Sequence, residues 1–325
     1  MLAARRLAAT APPLPAVAAQ CHHLRHSGRR GSSSATPAAA HEQRMPDDTF
    51  DFMARLIGAP SPVGLEAAMT QGVVAPFFKE LGADRLGWVE HKFRGNAGTV
   101  WDTGPGGDAE GKLTVMLCGH ADKIRMQVRS IGADGKVWIN SDSFLPLTLL
   151  GNTVTLFSED PAALGTYRSL PATVEALGAI HFAPPESRSG KKGIAPNELY
   201  LELGLHGSKR KEQLEALGVR AGDTVLLDRP ITRCVGGDTF SGAYLDNGLG
   251  CFVAAEVARK VAATPSITEH VRCLFAFASH EEIGRFGSRV LAQELRPDVL
   301  IAIDVNHDYD TAPTQGKERY QPLKL

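Results

Sequence analysis

The sequence predicts an α/β fold, a sheet with helices, interrupted by a smaller β-rich insert. Three observations lead there. Short continuous apolar runs at residues 113–118, 271–277 and 299–303 read as strands buried on both faces. Apolar residues at helical spacing accompany them: Met69, Val73, Val74, Phe77 and Phe78 within 66–81, and Leu249, Phe252, Val253, Val257 and Val261 further on. Between about Lys123 and Val235 the texture changes to short alternating runs, such as Val137-Trp138-Ile139, separated by Pro and Gly.

Taken in order, residues 51–57 read as a helix that stops at Gly58-Ala59-Pro60, and 60–64 as a loop. After the 66–81 helix, 95–101 begins a strand and 103–107 is a turn. The β-rich part holds one helix, 209–217, a strand at 224–227, and a polar, Pro-rich loop at 183–193. The expected partition is an α/β body from 45–123 with 240–325, and an inserted β-rich domain over 124–239.

Residues 1–40 stand apart. They contain no Asp or Glu, but hold Arg5, Arg6, Arg25, Arg29, Arg30 and a Ser32-Ser33-Ser34 run. An Arg-rich, Ser-rich, acid-poor leader is the signature of a mitochondrial or chloroplast transit peptide, and Pro12, Pro13 and Pro15 break any secretory apolar core. The alternative is a disordered tail on a cytoplasmic protein. Glu42, Asp47 and Asp48 mark the expected start of the mature chain.

The 325 residues carry a net charge of -1, so the overall balance points neither to nucleic acid nor to an anionic membrane. No apolar run approaches the roughly 20 residues of a bilayer span. Five widely spaced cysteines, with no CxxC pair, argue against a disulfide framework or a cysteine zinc site. Cys118, Cys251 and Cys273 sit in apolar runs and read as small buried hydrophobes.

The chemistry lies where the apolar strands end. Residues 113–118 run into Gly119-His120-Ala121-Asp122, 271–277 into His280-Glu281-Glu282, and 299–303 into Asp304. Ligands in open α/β sheets bind at the carboxyl ends of strands. Asp246, at the start of a helix, is a fourth source. Imidazole nitrogen with carboxylate oxygen suits Zn²⁺ and similar divalent ions. Two ions about 3.5 to 4 Å apart can share a water, lower its pKa and polarise a carbonyl. Each residue alone has a plainer explanation: His120 as a hydrogen-bonded core histidine, Asp246 as a helix N-cap, Glu281 and Glu282 as first-turn charges, Asp304 as a turn residue. Their recurrence at every buried strand end favours a joint role.

In this order, His120-Ala121-Asp122, Asp246-Asn247, Glu281-Glu282-Ile283-Gly284 and Ala302-Ile303-Asp304-Val305 resemble the glutamyl/tetrahedral aminopeptidase family of di-zinc metallopeptidases, some once labelled endoglucanases. Residues 174–181, 198–204 and 217–223 look like that family's insert. The resemblance covers roughly residues 51–310. It implies a metallopeptidase catalytic domain with a central mixed sheet and an inserted β-rich domain used in dimer contacts and larger homo-oligomers. It implies two divalent ions, Zn or else Co or Mn, and peptide substrates that lose their N-terminal residue. By matching position, Asp246 would bridge the metals, His120 and Asp304 would complete one site, and Glu282 would hold the other. Glu281 would be the general base, and Asp122 would orient the His120 imidazole. The family's second metal takes a further histidine downstream of Asp304. Here no histidine follows His307, which is itself too near Asp304 to be assigned as a substitute. The expectation is therefore a catalytic domain incomplete at its C-terminal end, with a catalytically impaired member acting in assembly, or a deacylase or carboxypeptidase on the same scaffold, as alternatives.

Overall fold

The computed structural model describes residues 44–306, except 94–96, 107–110, 142, 177–183, 189–191, 236 and 238. The Arg-rich leader, His307 and the insert stretch at 177–181 lie outside the described residues.

The α/β part is a five-stranded mixed sheet with strand order β1-β2-β12-β3-β13. Its members are β1 (Val89–Lys92), β2 (Gly98–Asp102), β3 (Leu113–His120), β12 (Val271–Ala278) and β13 (Val299–Ala302). β12 and β13 run parallel to β3 on either side of it, while β2 is antiparallel to β12. Side chains alternate across this sheet, so each face has its own core. One face meets α1 (Asp47–Gly58), the run α2 (Ala67–Met69), a π-helical turn (Thr70–Val74) and α3 (Ala75–Glu80), and α7 (Leu245–Ala263). Its centre is aromatic: Phe78 stacks on Trp101 at 4.6 Å and also meets Trp88, Phe275 and Phe277. On the other face Leu291 of α9 (Phe286–Leu295) packs with Val100, Met116, Leu274 and Ala276.

The chain leaves the sheet after His120 and enters a closed six-stranded barrel of order β4-β5-β8-β7-β6-β9. Its strands are β4 (Met126–Ile131), β5 (Val137–Asn140), β6 (Thr153–Glu159), β7 (Tyr167–Ala176), β8 (Leu199–Glu202) and β9 (Thr224–Leu227). The alternation in β5 and β6 sends Val137, Ile139, Val154 and Leu156 inward to meet Val174, Leu201 and Val225. Helices α4 (Pro146–Leu149), α5 (Pro185–Arg188) and α6 (Arg210–Ala216) sit between these strands in sequence. The chain returns through the hairpin β10 (Thr232–Arg233) and β11 (Phe240–Ser241) to α7, and α8 (Ile267–His270) precedes β12. Among the described residues no helix is long and apolar enough to cross a membrane.

Two sequence expectations are corrected. β13 is not buried on both faces: Val299, Leu300 and Ile301 are 42%, 42% and 46% exposed. Among the described residues it is the edge strand, paired only with β3, and hydrophobicity alone does not distinguish an edge from a centre. On α7 the expected stripe is buried at Phe252 and Val261 and packs on the core at Leu249 and Val257, but it departs at Val253 and is joined by small residues. Val253 is exposed, while Gly250, Cys251, Ala254, Ala255 and Ala258 are buried. Small residues let the helix press onto β3: a Cβ on Gly119 would lie 2.7 Å from the Gly250 carbonyl carbon and 2.8 Å from the Cys251 nitrogen.

That close approach is testable. Gly119→Ala must push α7 off β3 and is expected to destabilise by about 1–3 kcal/mol in urea unfolding. Gly72→Ala, whose Cβ meets nothing within 4 Å, is expected to be neutral or mildly stabilising.

Candidate metal centre

His120 ends β3 and is buried. Its Nδ1 lies 3.0 Å from the Asp122 carbonyl oxygen and 3.5 Å from Asp122 Oδ1, so the backbone is the nearer of the two partners. Its Nε2 faces outward, 3.0 Å from Asp246 Oδ1 and 3.8 Å from Glu281 Oε2. The Cys251 thiol donates to the His120 carbonyl, linking α7 to the same strand end.

The parallel register sets Ala278 beside His120, and the Ala121 N–H adds one more rung by donating to the Ala278 carbonyl at 2.7 Å. Asp122, fully buried, follows at once. Its two carboxylate oxygens accept the backbone N–H groups of Glu281 at 3.1 Å and Glu282 at 3.0 Å. The turn that presents these glutamates begins with His280 at φ 59, a left-handed conformation uncommon for a residue with a side chain. It closes against β2 and β12 at Gly287, where a Cβ would lie 2.1 Å from the Ser279 carbonyl oxygen.

Asp246 and Asp304 arrive from other elements. At the start of α7, Asp246 and Asn247 are non-helical and their peptide bond is cis. The Asp246 carboxylate turns to His120. The buried Asn247 donates through Nδ2 to the Ile303 carbonyl at 2.7 Å and accepts from the Gly250 N–H. It therefore ties the start of α7 to the residue before Asp304. In the sequence Asn247 is marked only by its adjacency to Asp246.

All the sequence-predicted site residues come together. His120, Asp246 and Asp304 offer ligand atoms within 4.8 Å of one another, and so do His120, Glu281 and Glu282. His120 is common to both groups. One feature was missed: a cation stands at the rim, with Arg285 Nε 3.2 Å from Glu281 Oε1. Glu281 thus points one oxygen at Arg285 and the other at His120.

The charges show what such crowding does without a counter-ion. Burial, reinforced by Asp246, raises the Glu282 carboxyl to about 7. Burial alone would lower His120, but its contacts with Asp122 and Asp246 outweigh that and raise it to about 10. Burial would also raise Asp122, yet His120 and the Glu282 and Glu281 N–H groups hold it below 3.8. One imidazole and several carboxylates competing for protons form a donor set that fits divalent cations.

A pH dependence follows for the metal-free protein. Glu282 favours the fold fully below its ordinary 4.5 and loses that contribution as pH climbs to about 7. His120 contributes below its ordinary 6.5 and loses that as pH climbs to about 10. Asp122 acts oppositely, contributing above 3.8 and losing it as pH falls further. Thermal melting of chelator-treated protein is expected to show Tm falling from about pH 5 to about pH 7; above that the buried Lys123 amine, lowered to about 7, opposes the loss from His120. Excess divalent cation is expected to abolish the fall. A Tm that rises from about pH 5 to about pH 7 would contradict the charge arrangement.

Residues 98–322 match the model of the M42 glutamyl aminopeptidase family. The lysyl aminopeptidase of Pyrococcus furiosus is 27% identical over 266 residues, which are 79% of this chain and 66% of that protein. Among solved structures, a TET aminopeptidase from a marine sediment archaeon superposes with a TM-score of 0.68 at 21% identity, over 82% of this chain and 68% of that one. The Pyrococcus horikoshii TET1 peptidase, which can assemble into a tetrahedron or a large octahedral shell, superposes with a TM-score of 0.59 at 17% identity, over 79% of this chain and 68% of that one. This chain thus spans just under two thirds of the length of the lysyl aminopeptidase. With a family model matching more than half its residues, the chain belongs to the M42 glutamyl aminopeptidase family.

Proposed function

We propose that this protein is a metal-dependent aminopeptidase that removes N-terminal residues from peptides. The observation that carries the proposal is the meeting of His120, Asp246, Asp304, Glu281 and Glu282 at the carboxyl ends of β3, β12 and β13 and the start of α7. Family membership and relatives named as aminopeptidases support it.

The residues divide as follows. His120 and Asp304 would hold one divalent ion and Glu282 the other, with Asp246 shared between them. When bound, such a pair supplies an activated water and polarises the scissile carbonyl. Zn²⁺ suits this nitrogen and oxygen donor set, with Co²⁺ or Mn²⁺ as substitutes. Glu281 takes the proton from the attacking water on the oxygen that faces His120 and passes it to the leaving amine. Arg285 holds the other Glu281 oxygen and limits where that carboxylate can swing. Asp122 fixes the direction of both glutamates through their N–H groups and keeps His120 Nε2 turned into the site. The barrel and the assembling relatives support a homo-oligomer, and the Arg-rich leader supports import into a mitochondrion or plastid.

Two substitutions test the assignment. Glu281→Gln is expected to keep its metal, measured by elemental analysis, and to lose about 100- to 10,000-fold in hydrolysis of a peptide amide. Near-normal turnover would remove Glu281 as the base. Asp246→Ala is expected to lose both ions together; a full metal complement would rule out bridging. Substrate profiling decides which end is used: an aminopeptidase cleaves free peptides and spares N-acetylated ones, a carboxypeptidase cleaves both, and a deacylase acts on the acylated ones. Cellulose-type substrates are expected to remain uncut, because hydrolysis by paired carboxylates needs no metal.

A further inference from the structure

Lys123 follows Asp122 directly, and its amine is buried, with only 2% of the residue exposed. Among the described residues no carboxylate pairs with it. Its Nζ donates to the Ile57 carbonyl at 2.6 Å and to the Ala59 carbonyl, at the carbonyl end of α1. Aligned peptide dipoles leave that helix end partly negative. The same amine stands 5.0 Å from the centroid of the Tyr244 ring. Tyr244 is two residues before Asp246 and is held at φ 65, in the left-handed region. Its hydroxyl accepts the Leu227 N–H of β9 at 2.7 Å. The Lys123 carbonyl accepts the Val63 N–H, and Lys123 bridges to Pro62.

A buried ammonium costs free energy that an apolar side chain of similar length would avoid. Burial lowers its pKa to about 7. What an apolar replacement could not do is donate to two carbonyls and face an aromatic ring. Those contacts span the two places where the chain leaves and re-enters the α/β part: Asp122 on the outgoing side and Tyr244, leading to Asp246, on the returning side.

We propose that Lys123 is a positioning residue for the metal cluster. It pins the end of β3 to α1 and to the Tyr244 ring, and so sets where the Asp122 and Asp246 carboxylates stand relative to each other. The proposal rests on the cluster holding divalent ions, and the test separates the two ideas.

Amide hydrogen exchange is compared between wild type and Lys123→Met, both metal-free, and Co²⁺ binding is then titrated by its visible absorption. The expected result is local. The Glu281 and Glu282 amides, which donate to Asp122, exchange about 10-fold faster or more, while Leu156 and Val225 in the barrel are unchanged. Co²⁺ affinity falls about 10- to 100-fold and the absorption bands shift. Unchanged exchange at Glu281 and Glu282, or a rise spread equally over the barrel, would overturn the proposal. Failure of the wild type to bind Co²⁺ would instead sink the metallopeptidase function, and the exchange comparison would still decide Lys123. Should Lys123→Met not fold, Tyr244→Leu, which removes the ring, is judged by the same two readings.

Discussion

The buried carboxylate of Asp122 is the contact on which the site depends. Neighbouring parallel strands bring β3 and β12 side by side, but register alone does not aim the residues beyond their ends. Asp122 does so by accepting the N–H groups of Glu281 and Glu282 and lying against His120. A lone carboxylate with no exposed surface would be driven to protonate. Two charge-assisted hydrogen bonds from backbone amides and the adjoining imidazole keep it ionised, and that same bonding prevents the glutamate turn from drifting.

Connectivity explains why the cluster draws on such distant segments. The barrel is threaded between β3 and α7, so the chain crosses between the two parts twice, and each crossing carries residues of the cluster. The outgoing one holds His120 and Asp122; the returning one leads through Tyr244 to Asp246. Glycines at 119 and 250 let the returning helix sit against the outgoing strand, and Asn247 then fastens that helix to the backbone beside Asp304. Sheet register, helix contact and side-chain hydrogen bonds act together on one small volume.

Much of this was legible in the order of residues. Apolar runs ending in His120, Glu281-Glu282 and Asp304 fixed both the strands and the end at which charge would gather, because parallel strands point their carboxyl ends the same way. Other features were not legible, for identifiable reasons. The edge position of β13 depends on what pairs beside it, and Val299 to Ile301 read the same at a centre or a rim. The buried face of α7 sets Gly, Cys and Ala beside Phe252 and Val261; the burial of the small residues follows from close packing and leaves a faint hydrophobic signal next to the exposed Val253. Lys123 reads as a solvated charge until the carbonyl end of α1 is seen against it. Arg285 lies four residues after Glu281, a spacing that a helical turn makes a contact and a strand would not.

The central claim is that these carboxylates stand together because divalent cations neutralise them. X-ray diffraction at the zinc absorption edge from Zn²⁺-soaked crystals tests it most directly. Two anomalous peaks are expected in the cluster, one roughly 2.0–2.2 Å from a His120 nitrogen and an Asp304 oxygen, the other against Glu282, with Asp246 between them. A cluster without anomalous density at saturating Zn²⁺, with the carboxylates turned away from one another, would contradict the account.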